Sequence, residues 1–409
     1  MTEYIFDKWT DKYAKRTENM RSSTIRDLFS VTTRPDIISL AGGAPCVTRF
    51  ENKNINEAMK RSLKDKTKSL QYGASEGIED LRELILEFLA VENIEAYSED
   101  ILITGGTQQS LDLVSKVFID PGDIILAEEP SYVGALNSFY VFQANVVQIP
   151  MDDNGLKVTE LKKMLGNLPR KPKFLYTIPN YQNPSGVSLS GERRKQLVDV
   201  CKKNDILIIE DNAYSMLGFT KKKLPALRSL DENVVYMGTF SKVLFNPGAR
   251  LGWILAPKAI MEKINFSKQA ADLCTGQLSQ YLALNYLQHN DWRSFIDEMR
   301  GFYKMKRDVM LRSLKKYFPK EATWTNPKGG LYIWVTLPGY LDSQKMLADA
   351  INEKVAFVPG KGFYSTDKGK CQMRLSYGVA EPAEIEEGIK RLAKVVKYNM
   401  ELYALFNKK

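Results

Sequence analysis

Between residues 101 and 256, short apolar runs rich in β-branched residues alternate with helix-length segments. The runs are Ile101-Leu102-Ile103, Ile124-Ile125-Leu126-Ala127, Val146-Val147-Gln148-Ile149, Phe174-Leu175-Tyr176-Thr177-Ile178, Ile206 to Glu210, Val234-Val235-Tyr236-Met237 and Trp253-Ile254-Leu255-Ala256. A strand that is apolar throughout has no face to offer water, so both its faces must be covered. Strands of that kind separated by helices imply an α/β fold with a mostly parallel sheet under helices. The segment Gly191 to Lys203, with Leu197, Val200 and Cys201 on one face, is a predicted covering helix.

From about Asp291 the texture changes. A long charged helical stretch (Arg293 to Phe318) leads to Gly330-Leu331-Tyr332-Ile333-Trp334-Val335, a strand after a Gly-Gly turn, then Val355-Ala356-Phe357-Val358-Pro359 and Met373-Arg374-Leu375-Ser376. Ile385, Ile389, Leu392 and Val396 mark one face of a last helix, opened by Pro382. The chain of 409 residues is long enough for two domains. The expected division is an N-terminal arm and helix (1–50) belonging to a smaller α+β domain, a large domain (51–292), and the rest of the small domain (293–409).

The net charge of +9 comes from 58 Lys and Arg interleaved with 49 acids. Without a basic block this is a solvated surface, and neither nucleic acid nor membrane is an expected partner. Cys46, Cys201, Cys274 and Cys371 form no CxxC pair, which suits a reducing compartment and argues against a zinc framework. The charged start Met1-Thr2-Glu3-Tyr4 carries no apolar secretion core, and no run reaches the length of a membrane span, so a cytoplasmic location is expected. A single histidine, His289 in a polar helix-end stretch, cannot build a multi-histidine metal site. A proton carrier in this chain is therefore expected to be a lysine.

One lysine has the right surroundings. Lys242 closes Gly238-Thr239-Phe240-Ser241-Lys242, Asp211 ends the run from Ile206, and Arg250 follows shortly after. Pyridoxal 5'-phosphate requires a lysine for its aldehyde, an acid for its ring nitrogen, and hydroxyls with a cation for its phosphate. Asp211 at a strand end projects from the carboxyl edge of the sheet, where ligands bind in open α/β folds. If strand geometry continues, Ala213 shares its face and is small enough for a flat ring. Tyr214 and Asn183, the latter in Asn180-Tyr181-Gln182-Asn183-Pro184-Ser185-Gly186, offer donors to a phenolate-like oxygen. Gly105-Gly106-Thr107-Gln108-Gln109 stands between a strand and a helix, where backbone N–H groups point at a dianion. Thr239, Ser241 and Arg250 add phosphate contacts. Tyr132 after another strand can stack on a ring. Arg374 enters an apolar strand, where its charge needs a carboxylate partner. Taken singly, these residues also read as a capping acid, a turn, a helix start, a core tyrosine and a structural ion pair.

Together they resemble fold-type I pyridoxal-phosphate enzymes, specifically class I/II aminotransferases of the 2-aminoadipate, kynurenine and aromatic branch. The resemblance runs from Ile38-Ser39-Leu40-Ala41-Gly42-Gly43 to the C-terminal helix, with support from Ser23-Thr24-Ile25-Arg26, Leu70-Gln71-Tyr72-Gly73 and Asn183-Pro184-Ser185-Gly186. It implies that Lys242 is the Schiff-base lysine, Asp211 the pyridinium partner, and Asn183 and Tyr214 the holders of the ring oxygen. It further implies that Tyr132 stacks, and that Thr107, Gln108, Thr239, Ser241 and Arg250 bind phosphate. Arg374 would take the substrate α-carboxylate beside Gly43, and Arg26 a distal carboxylate. Tyr72 would reach the neighbouring subunit's phosphate, making a homodimer part of the site. Eight positions separate Lys242 from Arg250, as in the aspartate type, where the aminoadipate-like branch is expected to have seven. The implied activity is ping-pong transamination from an L-amino acid (2-aminoadipate, glutamate, aromatic or branched) to a 2-oxo acid such as 2-oxoglutarate. The rivals are a fold-type I lyase or decarboxylase and an aminotransferase-like ligand-sensing module. The latter carries a winged-helix domain ahead of this region, for which the forty or so residues before Gly42 leave no room.

Overall fold

The apolar runs become strands whose alternate residues enter two different cores. The computed structural model describes residues 7–20, 34–220, 223–242 and 244–406; Ser23-Thr24-Ile25-Arg26 lies outside the described residues. Its strands are β1 (Ile38–Ser39), β2 (Ile101–Thr104), β3 (Ile124–Glu129), β4 (Asn145–Asp152), β5 (Gly155–Leu156), β6 (Phe174–Thr177), β7 (Leu207–Asp211), β8 (Val235–Thr239), β9 (Gly252–Leu255), β10 (Thr323–Trp324), β11 (Tyr332–Thr336), β12 (Val355–Ala356), β13 (Val358–Pro359) and β14 (Gln372–Ser376). Ile125, Ala127, Phe174, Tyr176 and Ile209 face one core, while Leu126, Leu175 and Ile208 face another. That alternation is the period of two of a pleated strand, and it leaves no wet face.

An eight-stranded sheet has the order β2-β9-β8-β7-β6-β3-β4-β5. β8, β7, β6, β3 and β4 are mutually parallel in sequence of pairing. β9 runs antiparallel to both β2 and β8, and β5 antiparallel to β4, so the sheet is mixed at its margins. The physical reason for β9 is its connection. Among the described residues, only the one-turn helix Pro247–Ala249 lies between Thr239 and Gly252, and a strand that returns without a crossover helix runs backwards. The expected helix Gly191–Lys203 covers one face, burying Leu197, Val198, Val200 and Cys201.

The C-terminal part builds a second sheet, β10-β11-β14-β13, antiparallel throughout. The helix Trp292–Tyr317 starts one residue earlier than expected because the Asp291 side chain accepts from Arg293 and Ser294 backbone N–H groups. Ile385, Ile389, Leu392 and Val396 of the helix Pro382–Phe406 are buried. Ile38 pairs with Val355 and Ser39 with Ala356, so the segment leading to Gly43 is stitched to the C-terminal part. Among the described residues, no helix is long and apolar enough to cross a membrane. His289 is exposed and ends the helix Gln277–His289.

Arg194 holds the loop that carries Asn183. Fully buried, it donates to the carbonyls of Leu189 (2.9 Å), Pro225 (2.7 Å) and Pro179 (2.7 Å) and to Asn180 Oδ1 (2.7 Å). Arg194→Met fills similar space but strands four acceptors away from water. Denaturant unfolding is expected to show a loss of about 3 kcal/mol, together with weaker retention of any ligand held by Asn183.

Candidate active site

Because β2, β3, β6, β7 and β8 all point the same way, their carboxyl ends meet at one edge. β9 starts at that edge, with Gly252 opposite both Thr239 and Thr104. Chain direction alone therefore gathers Gly105-Gly106-Thr107, Tyr132, Asn183, Asp211, Ser241, Lys242 and Arg250 around one crevice.

Asp211 is the last residue of β7 and is buried. Its Oδ2 accepts a 2.8 Å hydrogen bond from the Tyr176 hydroxyl. The two side chains share a face because Tyr176 pairs with Ile209, two residues before Asp211. Asp211 Oδ1 is buried without a partner. Burial pushes the carboxyl up to about 6, opposed by the Tyr176 bond and the Lys242 cation. The strand stops at Asp211, so the alternation argument does not extend to Ala213.

The Lys242 amine donates to the Gly43 carbonyl at 3.1 Å and lies 6.0 Å from the centre of the Tyr214 ring. Lys242 comes from the turn after β8, whereas Gly43 comes from the segment tied to Val355 and Ala356. The amine thus sits where the two parts of the chain meet.

The anion end is equally concrete. Gly106 has φ of 87° and directly precedes the helix Thr107–Phe118, whose free N–H groups face the edge. Arg250 reaches them, donating to the Gly105 carbonyl at 3.2 Å, and a Cβ on Gly106 would lie 2.7 Å from its guanidinium. Arg250 itself adopts a left-handed conformation (φ 53°) after the one-turn helix Pro247–Ala249, capped by Asn246. Thr239 and Ser241 are buried beside it, and the Thr239 hydroxyl accepts from the Ser241 N–H at 3.1 Å. Gln108 is joined to Tyr132, whose hydroxyl donates to Gln108 Oε1 at 3.4 Å.

Arg374, 2 % exposed, lies on β14 and crosses to the other sheet. It donates to Asn183 Oδ1 at 2.9 Å and to the Ala41 carbonyl at 2.8 Å, while its Nε is buried without a partner. No carboxylate among the described residues pairs with it. That excludes the structural ion pair and leaves a buried cation open to an anion. Tyr72 stands apart from this cluster, 80 % exposed on its own chain.

Four contributors were not picked out from the sequence. Tyr176 and Tyr332 looked like strand residues, and their hydroxyls find Asp211 and Tyr214 (3.2 Å) only through sheet register and packing. Gln182 and Glu128 form a buried pair under the Asn183 loop: Gln182 donates to Glu128 Oε2 at 3.1 Å, and burial pushes Glu128 up to about 7. Polar residues inside apolar runs were the available signal, and Tyr176 and Glu128 carried it.

An anion cradle, a lysine amine and an unpaired buried acid along one sheet edge define a fold-type I pyridoxal-phosphate enzyme. The family model described as aminotransferase class I and II matches residues 35–392. Aromatic-amino-acid aminotransferase 1 of Thermococcus litoralis is 39% identical over 395 residues, covering 95% of this chain and 94% of the relative. The structure of Pyrococcus horikoshii kynurenine aminotransferase, solved in complex with PMP, superposes with TM-score 0.91 at 39% identity and covers 96% of this chain and 98% of that one. The α-aminoadipate aminotransferase of Thermus thermophilus, complexed with N-(5'-phosphopyridoxyl)-L-leucine, gives TM-score 0.90 at 34% identity, with 97% and 100% covered. The chain belongs to the class I and II aminotransferases, a pyridoxal-phosphate-dependent family. Its polar groups fit that cofactor: Asp211 Oδ1 is an acceptor without a partner, which a ring N–H supplies, and Arg250 with the helix start at Thr107 suits a dianion.

The raised Asp211 value has a stability consequence. A carboxyl whose folded pKa lies above its ordinary 3.8 favours the fold when protonated, so stability falls as pH rises from there to about 6 and then levels off. In cofactor-free protein, Asp211→Asn is expected to raise the melting temperature at pH 7.5, by at most about 3 kcal/mol of stability, and to do nothing near pH 4. The same variant is expected to lose about 100-fold in kcat/KM. Calorimetry at the two pH values and steady-state assays check both halves.

Proposed function

We propose that this aminotransferase moves the amino group of an L-amino acid, with 2-aminoadipate and aromatic donors foremost, to 2-oxoglutarate by a ping-pong route. The unpartnered Oδ1 of buried Asp211, within electrostatic reach of Lys242, is the observation that carries the reading. When bound, pyridoxal phosphate supplies an aldehyde to carry the amino group and a ring to hold the electron pair left at Cα.

The protein's own residues do the rest. Asp211 would keep the ring nitrogen protonated. Asn183 and Tyr214 would donate to the ring oxygen, and Tyr132 would stack against the ring. Thr107, Gln108, Thr239, Ser241 and Arg250 would bind the phosphate. Lys242 Nζ would hold the aldehyde and, as a free amine, would carry the proton at Cα. Arg374 orients the α-carboxylate through its fixed fork, beside Gly43. The aromatic faces of Tyr332 and Phe363, 4.5 and 5.4 Å from the Arg374 guanidinium, suit an apolar or aromatic side chain nearby. Arg26 pairs with the distal carboxylate of acidic donors.

Tyr72 completes the phosphate site of a second copy, so the working unit is a homodimer. We read the chain as an N-terminal arm and helix (1–50) belonging to the small domain, a large domain (51–292) and the rest of the small domain (293–409), a reading supported by the pairing of Ile38 with Val355.

Lys242→Ala is expected to abolish both the visible cofactor absorbance and turnover. A donor panel against 2-oxoglutarate is the sharper test: Arg26→Gln should raise KM for 2-aminoadipate at least tenfold and leave phenylalanine nearly unchanged. Equal losses for both donors would remove Arg26 from specificity. Pyruvate and ammonia released from an amino acid without any acceptor would replace transamination with a lyase reaction.

A further inference from the structure

Tyr332 occupies the centre of the crevice, although the sequence marks it only as a strand position. It opens β11 opposite Ser376 of β14, next to Arg374. Its ring lies under the Arg374 guanidinium, 4.5 Å from centroid to Cζ. It meets the Tyr214 ring edge-on at 5.8 Å, and the two hydroxyl oxygens are 3.2 Å apart. Room for the hydroxyl is made by Gly43: a Cβ there would fall 2.0 Å from the Tyr332 oxygen. A phenylalanine would satisfy the packing and the cation contact equally well. The hydroxyl therefore needs its own explanation, since a buried hydroxyl is costly unless it is bonded.

A phenol has one proton to give and accepts through two lone pairs. In the reading above, Tyr214 gives its proton to the cofactor's ring oxygen, so in the pair with Tyr332 it must accept. We propose that Tyr332 is a positioning residue: its hydroxyl donates to the Tyr214 oxygen, which aims Tyr214's own proton at the ring oxygen and strengthens that bond. The surrounding charges favour the same direction. Burial raises both phenols, but the Arg374 and Lys242 cations act to bring Tyr332 below the ordinary 10.0, whereas Tyr214 stands well above it. The more acidic partner is the better donor. Tyr132 and Tyr377, the other titratable groups that feel Tyr332, are themselves raised and neutral. Hydrogen bonds in such a chain polarise one another, so the effect reaches the ring without contact between Tyr332 and the cofactor.

The proposal rests on the assignment of Tyr214 to the ring oxygen, and the test separates the two. Holoenzyme is titrated with pH while the absorption band of the bound cofactor is followed, in wild type, Tyr332→Phe, Tyr214→Phe and the double variant. Phenylalanine at 332 keeps the ring, its burial and its contact with Arg374, so the variant is expected to fold with an unchanged melting temperature. Its titration midpoint is expected to move up by roughly half a unit, with a severalfold lower kcat and an unaltered KM. The double variant should titrate with Tyr214→Phe, because Tyr332 acts through Tyr214. A midpoint in Tyr332→Phe equal to wild type, or full additivity in the double variant, overturns the proposal. A wild-type protein with no titrating cofactor band overturns the functional reading instead.

Discussion

Three charged groups share one buried crevice and are kept from neutralising one another. Asp211 leaves an oxygen unbonded, Arg374 leaves its Nε unbonded, and Lys242 rests on a neutral carbonyl. Folding would be easier if acid met base directly, because burying separated charges costs several kcal/mol each. The fold prevents that meeting by geometry. Asp211 is fixed at the end of a central strand by Tyr176, Arg374 is fixed on another sheet by Asn183 and Ala41, and the lysine stands between. What the protein leaves unpaired, a cofactor with a ring N–H, an aldehyde and a substrate carboxylate can pair.

This arrangement is expensive in stability terms and consistent with a site that must wait for its ligand. Glu92, Glu128 and Glu210 are also buried and pushed up to about 7, so the acid at 211 belongs to a wider group that resists ionisation. They differ in wiring. Glu128 accepts from Thr177, Ile178 and Gln182, and Glu92 from Asn212 and Ser215, so both brace loops around the crevice. Asp211 braces nothing beyond Tyr176. Glu210 also leaves one oxygen, Oε1, unbonded, so what sets Asp211 apart is a free oxygen at the carboxyl edge of the sheet within electrostatic reach of Lys242.

Much of the fold was legible because strands buried on both faces cannot disguise themselves: the seven runs fell on β2, β3, β4, β6, β7, β8 and β9, while the two-residue β5 had no run of its own. The reversal of β9 was less visible, since direction depends on whether a connection holds a helix. Asp211, Lys242, Arg250 and Arg374 could be picked out because a charge beside an apolar run demands a reason. Tyr332 and Arg194 could not. Tyr332 meets Tyr214 across 118 positions, and Arg194 sits in a helix whose polar residues otherwise look solvated. Arg26 remains a sequence-based reading outside the described residues.

The pairing of Ile38 and Ser39 with Val355 and Ala356 has one more consequence. Gly43 follows that tether closely, so its carbonyl travels with the C-terminal layer, while the amine it touches is anchored after β8. The 3.1 Å bond between them acts as a latch across the seam of the molecule. A slight hinge of one layer against the other lengthens it, so how tightly the two halves are shut and how available the lysine nitrogen is become a single mechanical variable.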